Sequence, residues 1–142
     1  MADSENALAG LSRKLKLKAG QRAGFINAPE NYLKEIGPLP AGVEAVEKLS
    51  GQFDWVQVFV KNKAEMDKLA PRVAKALKPD SLCWISFPKG SSKIQTDLTR
   101  DKGWEALHGL DLKWVTLVSV NDTWSAFSLR PYKPGEARQS FR

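Results

Sequence analysis

Hydroxyl, ammonium and carboxylate groups are concentrated between residues 89 and 101 of the sequence. This segment follows an apolar run, Leu82–Phe87, and opens with Lys89-Gly90-Ser91-Ser92-Lys93. Lysine side chains, serine hydroxyls, backbone N–H groups and the start of a helix are all suited to binding an anion. The spacing differs from Gly-x-x-x-x-Gly-Lys-[Ser/Thr], so nucleotide hydrolysis is not indicated. A small-anion site and a solvated loop both remain consistent with this composition.

The second half of the segment, Thr96-Asp97-Leu98-Thr99-Arg100, could present a carboxylate and a guanidinium to a ligand. The alternative is that Thr96 or Asp97 caps the following helix, which is the commoner use of these residue types. A serine–lysine nucleophile at Ser91 or Ser92 with Lys93 is not supported, because adjacent residues seldom reach hydrogen-bonding geometry and no oxyanion partner is visible.

Metal and thiol chemistry have little support in the sequence. The chain has one cysteine, Cys83, and one histidine, His108, so it lacks the cluster that a structural zinc site needs. Cys83 lies within an apolar run, where a thiol usually acts as a small buried hydrophobe. We therefore predict no metal and an inert Cys83.

Strands and helices alternate along most of the chain. Apolar and β-branched runs predict strands at residues 22–27, 54–60, 82–87, 112–120 and 123–130. Helical patterns fall at residues 29–36, 63–77 and from Asp97 or Thr99 to Leu110. A short strand at 43–46 is expected to be peripheral or out of register, because a parallel crossover normally needs a dozen or more residues.

Three local features refine these elements. Asn62 and Glu65 form the capping box of the 63–77 helix, in which Pro71 implies a kink or a restart. Asn121-Asp122 is the expected two-residue loop of a terminal β-hairpin, which would pair Val120 with Thr123.

These elements predict an α/β fold: a mostly parallel sheet flanked by helices and ending in an antiparallel hairpin. The carboxyl ends of parallel strands share one edge of the sheet, and open α/β sheets bind ligands there. The residues predicted to form a ligand site at this edge are Asn27, Lys89, Ser91, Ser92, Lys93, Thr96, Asp97, Arg100, Asp122 and Trp124.

The 142 residues suit a single domain, predicted at 15–130, with a flexible N-terminus at 1–14 and a basic tail at 131–142. The N-terminus does not resemble a signal peptide and no apolar run approaches the ~20 residues of a membrane span, so a cytoplasmic location is expected. The net charge of +6 is dispersed, so nucleic acid is not indicated as a partner.

The strand–helix order from Asp54 onward resembles the second half of the class I methyltransferase fold, most closely at Leu77–Leu82, Pro88 and the hairpin. The resemblance implies that S-adenosylmethionine would bind through a glycine-rich loop after the first strand and an acidic residue after the second. Asn27–Tyr32 follows the first strand without Gly-x-Gly, and the region between the second strand, at 43–46, and Asp54 is too short for the usual helix–strand–helix. We therefore predict a methyltransferase-like topology with a shortened N-terminal half and no competent S-adenosylmethionine site.

The chain is also similar to a small bacterial family of single-domain proteins to which no activity is assigned. The motifs that carry this similarity span most of residues 15–130: Lys18–Arg22, Asn27–Pro29, Phe87–Lys89 with Ser91-Ser92, Thr96–Arg100 and Asp122–Ser125. The sequence predicts a binding module for a small anionic or nucleotide-like ligand. The alternatives are an enzyme of unknown reaction using Asp97, Arg100 or Asp122, and a protein or nucleic-acid interaction domain using the basic termini.

Overall fold

The computed structural model describes residues 14–36, 39–90, 97–98, 104–108, 110 and 112–137. The strands are β1 (Arg22–Ile26), β2 (Glu44–Val46), β3 (Phe53–Phe59), β4 (Leu77–Pro88), β5 (Leu112–Ser119) and β6 (Trp124–Pro131). The helices are α1 (Tyr32–Glu35), α2 (Lys63–Lys75) and α3 (Glu105–His108).

The strands form one sheet in the order β2-β1-β3-β4-β6-β5. β1, β2, β3 and β4 pair in parallel, whereas β6 runs antiparallel to both β4 and β5. β5 therefore has the direction of β4, and the carboxyl ends of β1, β3, β4 and β5 lie at one edge with the β5–β6 hairpin tip. The predicted fold class is confirmed.

β2 is the edge strand beside β1, so its predicted peripheral position is confirmed. The connection to β3, residues 47–52, is far shorter than a usual parallel crossover. It suffices because β2 is so short that the chain needs to return only ~10 Å along the sheet at ~3.3 Å per residue. Arg22 holds this connection: its guanidinium donates to Ser50 Oγ at 3.2 Å and to Gln52 O at 2.8 Å, and lies over the Phe53 ring.

Both faces of the sheet are packed. On one face α2, α3 and Leu98 cover the side chains of β3 and β4 such as Val56, Val58 and Ile85. On the other face α1 and a strap at residues 14–18 cover an aromatic layer that includes Phe25 and Phe59. The strap is anchored at Leu15, whose carbonyl accepts hydrogen bonds from Trp55 Nε1 at 2.8 Å and Trp84 Nε1 at 2.7 Å.

The hairpin differs from the prediction. Ser119 pairs with Ser125 and Val120 N–H donates to Trp124 O, so the loop is Asn121-Asp122-Thr123 rather than two residues. The longer loop arises because Asn121 Oδ1 accepts from the N–H groups of both Thr123 and Trp124, each at 2.9 Å, as an Asx turn. A bulge between Trp114 and Thr116 then shifts the register by one residue, and Trp114 pairs with Leu129.

The helices match the sequence patterns unequally. The Asn62–Glu65 capping box is confirmed, and α2 is continuous through Pro71 rather than restarting there. α1 is shorter than predicted because Asn31 adopts a left-handed conformation with φ 68°. The predicted helix from Asp97 or Thr99 to Leu110 is wrong in extent. Asp97 and Trp104 are not helical and α3 covers only Glu105–His108, whereas Thr99 lies outside the described residues.

β4 starts earlier than the predicted strand at 82–87. The register with β3 shifts from Phe53–Leu77 to Trp55–Leu82, so residues 78–81 bulge out of the ladder. This bulge accommodates Pro79, which cannot donate to a ladder.

Candidate functional site

The last residue before the first crossover is fixed against the neighbouring strand. Asn27 follows β1 in a left-handed conformation, φ 57°, which asparagine tolerates better than most residues. Its Nδ2 donates to Phe59 O at 2.8 Å, so the side chain joins the carboxyl ends of β1 and β3. Asn27 therefore lies at the carboxyl edge of the sheet, where the sequence analysis predicted the ligand site.

A crevice of about 260 Å3 opens beside Asn27 at this edge. Ile26 and Leu69 provide its apolar side chains, and Asn27, Glu65 and Lys68 its polar ones. The crevice lies where β1 has β2 on one side and β3 on the other, which is the topological switch point of the sheet. Open α/β sheets bind ligands at such switch points.

The backbone N–H groups around the start of α2 already donate to side-chain oxygens of the protein. Asn62 Oδ1 accepts from Glu65 N–H at 2.9 Å, and Glu65 Oε1 accepts from Lys61 N–H at 2.6 Å. Asp97 Oδ1 accepts from Lys63 N–H at 2.8 Å. An external anion would therefore find few free N–H donors at this helix start. The helix start is not part of the candidate site, which is the crevice beside Asn27.

Asp97 thus caps a helix, as one of the two alternatives predicted, but the helix is α2 and not the one that follows it in sequence. Its carboxylate accepts from the backbone N–H of Lys63. It also lies near the side-chain ammonium group of Lys63, which pairs with Asp67. An acid–base role would require this carboxylate to be released first.

Lys89 and the hairpin tip form a second, separate group at the edge. Lys89 Nζ donates to Ser119 Oγ at 2.6 Å, and Lys89 N–H donates to Thr123 O at 2.8 Å. These bonds attach the end of β4 to the hairpin. Asp122 is exposed at the tip, which leaves its carboxylate free to meet solvent or a ligand.

Trp124 is a core residue and does not line the crevice. It is buried on the aromatic side of the sheet and packs edge-to-face on Phe59, with ring centroids 5.1 Å apart. Trp124 therefore packs against the end of β3. Five further predicted site residues lie outside the described part of the chain: Ser91, Ser92, Lys93, Thr96 and Arg100.

The sequence prediction missed the α2 contribution to the crevice. Glu65 and Lys68 lie one turn apart on α2 and face Ile26 and Asn27. Lys68 is exposed and makes no ion pair among the described residues. The available signal was the helical spacing of Glu65, Lys68 and Leu69, which places all three side chains on one flank.

A buried polar chain below the edge was also missed. Tyr32 Oη donates to Gln57 Oε1 at 2.7 Å, and Gln57 Nε2 donates to Ser86 Oγ at 3.0 Å. Burial raises the pKa of Tyr32 above its ordinary value, although the bond to Gln57 acts in the opposite direction. The signal for this chain was an amide, Gln57, in the middle of an otherwise apolar strand.

Cys83 is buried, as predicted, and lies on the other face of the sheet from Tyr32; burial raises its pKa to about 12. A thiol with this pKa is almost entirely protonated at neutral pH and is a poor nucleophile. The described residues contain no cluster of three metal-ligating side chains. None of the helices in that part of the chain is long and apolar enough to cross a membrane.

Comparison with known proteins gives structural relatives only. No protein-family model matches the chain, and no curated protein matches it. A TehB-like SAM-dependent methyltransferase from Corynebacterium glutamicum superposes with a TM-score of 0.57 at 12% identity, over 92% of both chains. Magnesium protoporphyrin IX methyltransferase from Synechocystis, solved with bound SAH, superposes with a TM-score of 0.55 at 9% identity, over 92% of this chain and 83% of the other.

An O-methyltransferase family 2 protein from Planctomyces limnophilus gives a TM-score of 0.59 at 8% identity. The match covers 80% of this chain but only 50% of the longer one. Identities this low establish the fold and not the activity. The chain therefore has the class I methyltransferase-like fold that its C-terminal half predicted.

Proposed function

We propose that this protein is a binding module for a small anionic or nucleotide-like ligand, held in the crevice at the switch point between β1 and β3. The observation that carries the proposal is the combination of an apolar base, Ile26 and Leu69, with the free ammonium group of Lys68 and the fixed amide of Asn27. An apolar base suits a ring or aliphatic group, and an ammonium group suits a phosphate or carboxylate.

The size of the crevice supports a small ligand. Pockets for drug-sized molecules usually occupy ~300–1,000 Å3, whereas this one has about 260 Å3. Glu65 lines the same crevice and carries the opposite charge, but its Oε1 is directed to Lys61 N–H. We therefore propose that an anion would contact the ammonium group of Lys68 and not the Glu65 side of the crevice.

We further propose that the protein is not a competent S-adenosylmethionine-dependent methyltransferase. The loop after β1 is built on Asn27 and Asn31 and lacks Gly-x-Gly, and residues 47–52 replace the helix–strand–helix that the resemblance implies. Without these parts the chain offers neither a glycine-rich turn nor a longer crossover to enclose the cofactor.

Thermal unfolding in the presence of candidate ligands tests the proposal. The probes are inorganic phosphate, AMP, ATP, S-adenosylmethionine and S-adenosylhomocysteine at millimolar concentration. A ligand at about ten times its Kd adds about 1.4 kcal/mol to the free energy of unfolding, which corresponds to a rise in Tm of about 3–6 °C. We expect such a rise with phosphate or a nucleotide and not with S-adenosylmethionine.

Two variants of α2 locate the effect. Lys68→Gln should remove the rise in Tm, and Lys75→Gln, which changes another exposed lysine of α2 that does not line the crevice, should keep it. Absence of stabilisation by every probe, or an equal loss in both variants, would rule out this site. Stabilisation by S-adenosylmethionine alone would contradict the second proposal.

A further inference from the structure

A second and larger cavity opens at the edge of the sheet opposite the crevice beside Asn27. Its volume is about 550 Å3, whereas the crevice has about 260 Å3. Leu77 and Leu112, the first residues of β4 and β5, line it together with Pro131, the last residue of the antiparallel β6. The volume lies within the ~300–1,000 Å3 that small-molecule sites usually occupy.

The inner part of this cavity is apolar. Leu77 and Leu112 belong to the core that α2 covers, and they are only 8% and 5% exposed. Leu110 and Ala74, which lies in the last turn of α2, are the neighbouring lining residues. Burial of an apolar group against such a surface is the main driving force for binding in a small-molecule site.

The segment at residues 131–135 forms the outer wall, and a turn fixes its conformation. Glu136 N–H donates to Lys133 O at 3.0 Å, and Gly135 has φ 79°. Proline followed by a glycine of positive φ is typical of a type II turn. The rings that this wall contributes to the cavity are those of Pro131, Tyr132 and Pro134.

The carboxylate of Glu136 attaches the wall to the sheet. It accepts from Arg130 Nη1 and Nη2 at 3.0 and 2.7 Å, from Lys113 Nζ at 2.8 Å and from Lys133 N–H at 2.9 Å. Arg130 belongs to β6 and Lys113 to β5, so one carboxylate joins two strands to the turn. A wall held in this way exists before a ligand arrives, which lowers the entropy cost of binding.

Lys133 is the only charged residue among the described residues that line the cavity. It is exposed and forms no ion pair within the described part of the chain, since the carboxylate of Glu136 is engaged by Lys113 and Arg130. The last turn of α2, at Ala74, carries the negative end of the helix dipole. An anionic group would therefore lie at the Lys133 wall and not beside α2.

We propose that this cavity is a second ligand site, which binds a small monoanion with an apolar ring, such as an aromatic carboxylate. The ring lies against Leu77 and Leu112, and the carboxylate meets the ammonium group of Lys133. Gln52, which is exposed and also lines the cavity, supplies an amide donor beside it. This site is independent of the crevice beside Asn27, because the two cavities share no lining residue.

Titration of the full chain with benzoate, followed by amide chemical shifts in nuclear magnetic resonance spectra, tests this site. Benzoate should bind with a Kd of a few millimolar, on the order expected for a ligand of its size. It should shift the amide resonances of Leu112, Lys133 and Gly135 and leave those of Asn27 and Lys68 in place. No shifts up to about 20 mM benzoate, or shifts at the crevice alone, would overturn the proposal.

Two related compounds separate the contributions of charge and ring. Benzamide keeps the ring without the charge and should bind about two- to fivefold more weakly, which is the range of an exposed ion pair. Acetate keeps the charge without the ring and should produce no saturable shifts at Leu112. Equal affinities for benzoate and acetate would show that only the general positive charge of the chain is involved, and would overturn the proposal.

A matched pair of α2 variants locates the ring. Ala74→Leu fills part of the cavity and should weaken benzoate binding at least about tenfold. Ala64→Leu makes the same change at an exposed position of α2 that lines neither cavity, and should keep the affinity. Undiminished binding in Ala74→Leu, or an equal loss in both variants, would contradict the assignment.

A second pair locates the carboxylate and also serves if Ala74→Leu does not fold. Lys133→Gln should weaken benzoate binding about two- to fivefold. Lys34→Gln removes the same charge from an exposed position of α1 and should leave the affinity unchanged. Equal affinities in these two variants would overturn the role of Lys133, and far-UV circular dichroism identical to that of the unmodified chain establishes that each variant is folded.

Discussion

Two serine hydroxyls on β4 are both buried, and their surroundings are opposite. Ser86 Oγ accepts from Gln57 Nε2 at 3.0 Å, whereas Ser81 Oγ has no hydrogen-bond partner in the described structure. A buried hydroxyl without a partner costs free energy that its removal recovers, while the loss of a bonded hydroxyl leaves its partner unsatisfied. The same substitution should therefore have opposite effects at the two positions.

Ser81→Ala should raise the free energy of unfolding by up to about 1 kcal/mol, and Ser86→Ala should lower it by about 1–2 kcal/mol. Urea denaturation followed by tryptophan fluorescence measures both values. A loss of more than about 1 kcal/mol in Ser81→Ala would mean that its hydroxyl has a partner, such as an ordered water.

At the scale of elements, Arg22 is the residue that makes the short β2–β3 connection possible. Its guanidinium contacts Glu44 Oε2, Ser50 Oγ and Gln52 O, and its carbon Cζ lies 4.3 Å from the centre of the Phe53 ring. A lysine has the same charge but cannot offer the planar fork that reaches several acceptors at once. The connection should therefore be sensitive to a change that conserves charge.

Arg22→Lys should lower the free energy of unfolding by about 1–2 kcal/mol. Arg72→Lys, an exposed position on α2 without an ion pair in the described structure, should stay within about 0.5 kcal/mol of the unmodified chain. Equal effects of the two changes in chemical denaturation would show that Arg22 does not stabilise the connection.

The elements that the sequence predicted well are those specified by neighbouring residues. β3 is rich in aromatic and β-branched residues, and α2 begins with the Asn62–Glu65 box, so both signals are local. The hairpin loop was missed because Asn121 suits either a turn position or a side-chain cap, and the sequence does not distinguish them. The start of β4 was missed because Lys78-Pro79-Asp80 has the composition of a turn, although here it forms a bulge beside Asp54.

The sequence predicted where in the fold the candidate site lies, at the carboxyl edge of the sheet, but only some of the residues that line it. Parallel strands bring Asn27 and the end of β3 together, and this follows from the order of elements. Lys68 could not be singled out, because an exposed lysine on a helix is ordinary until the neighbouring strand is positioned. Asp97 was expected to cap a helix or contact a ligand, but contact with α2 depends on tertiary packing.

At the scale of the whole molecule, one carboxylate makes stability depend on pH. Glu136 accepts from Arg130 and Lys113 side chains and from the Lys133 N–H, and these contacts hold its pKa well below the usual range. A group with a lowered pKa in the folded state stabilises the protein above its unfolded pKa, about 4.3 for glutamate. This stabilisation is lost as the pH falls from about 5 toward the lower folded value.

Thermal unfolding between about pH 7 and about pH 3 should show a fall in Tm that is shallower in Glu136→Gln than in the unmodified chain. The two curves should approach each other at the acidic end, because the unfolded chain binds a proton at Glu136 there and the folded chain does not. Glu47→Gln, at an exposed position in the β2–β3 connection, should follow the unmodified chain. Parallel curves for all three proteins would show that Glu136 does not contribute to the acid sensitivity.

The shared acceptor at Leu15 has a consequence for the order of folding. Its two indole donors lie 40 and 69 positions further along the chain. The carbonyl cannot gain both bonds until β3 and β4 are side by side, and closing such long loops costs entropy that only the completed sheet repays. During synthesis Leu15 cannot complete its native contacts until Trp84 has left the ribosome. The strap, which is made before all six strands of the described sheet, is thus among the last segments to reach its native contacts.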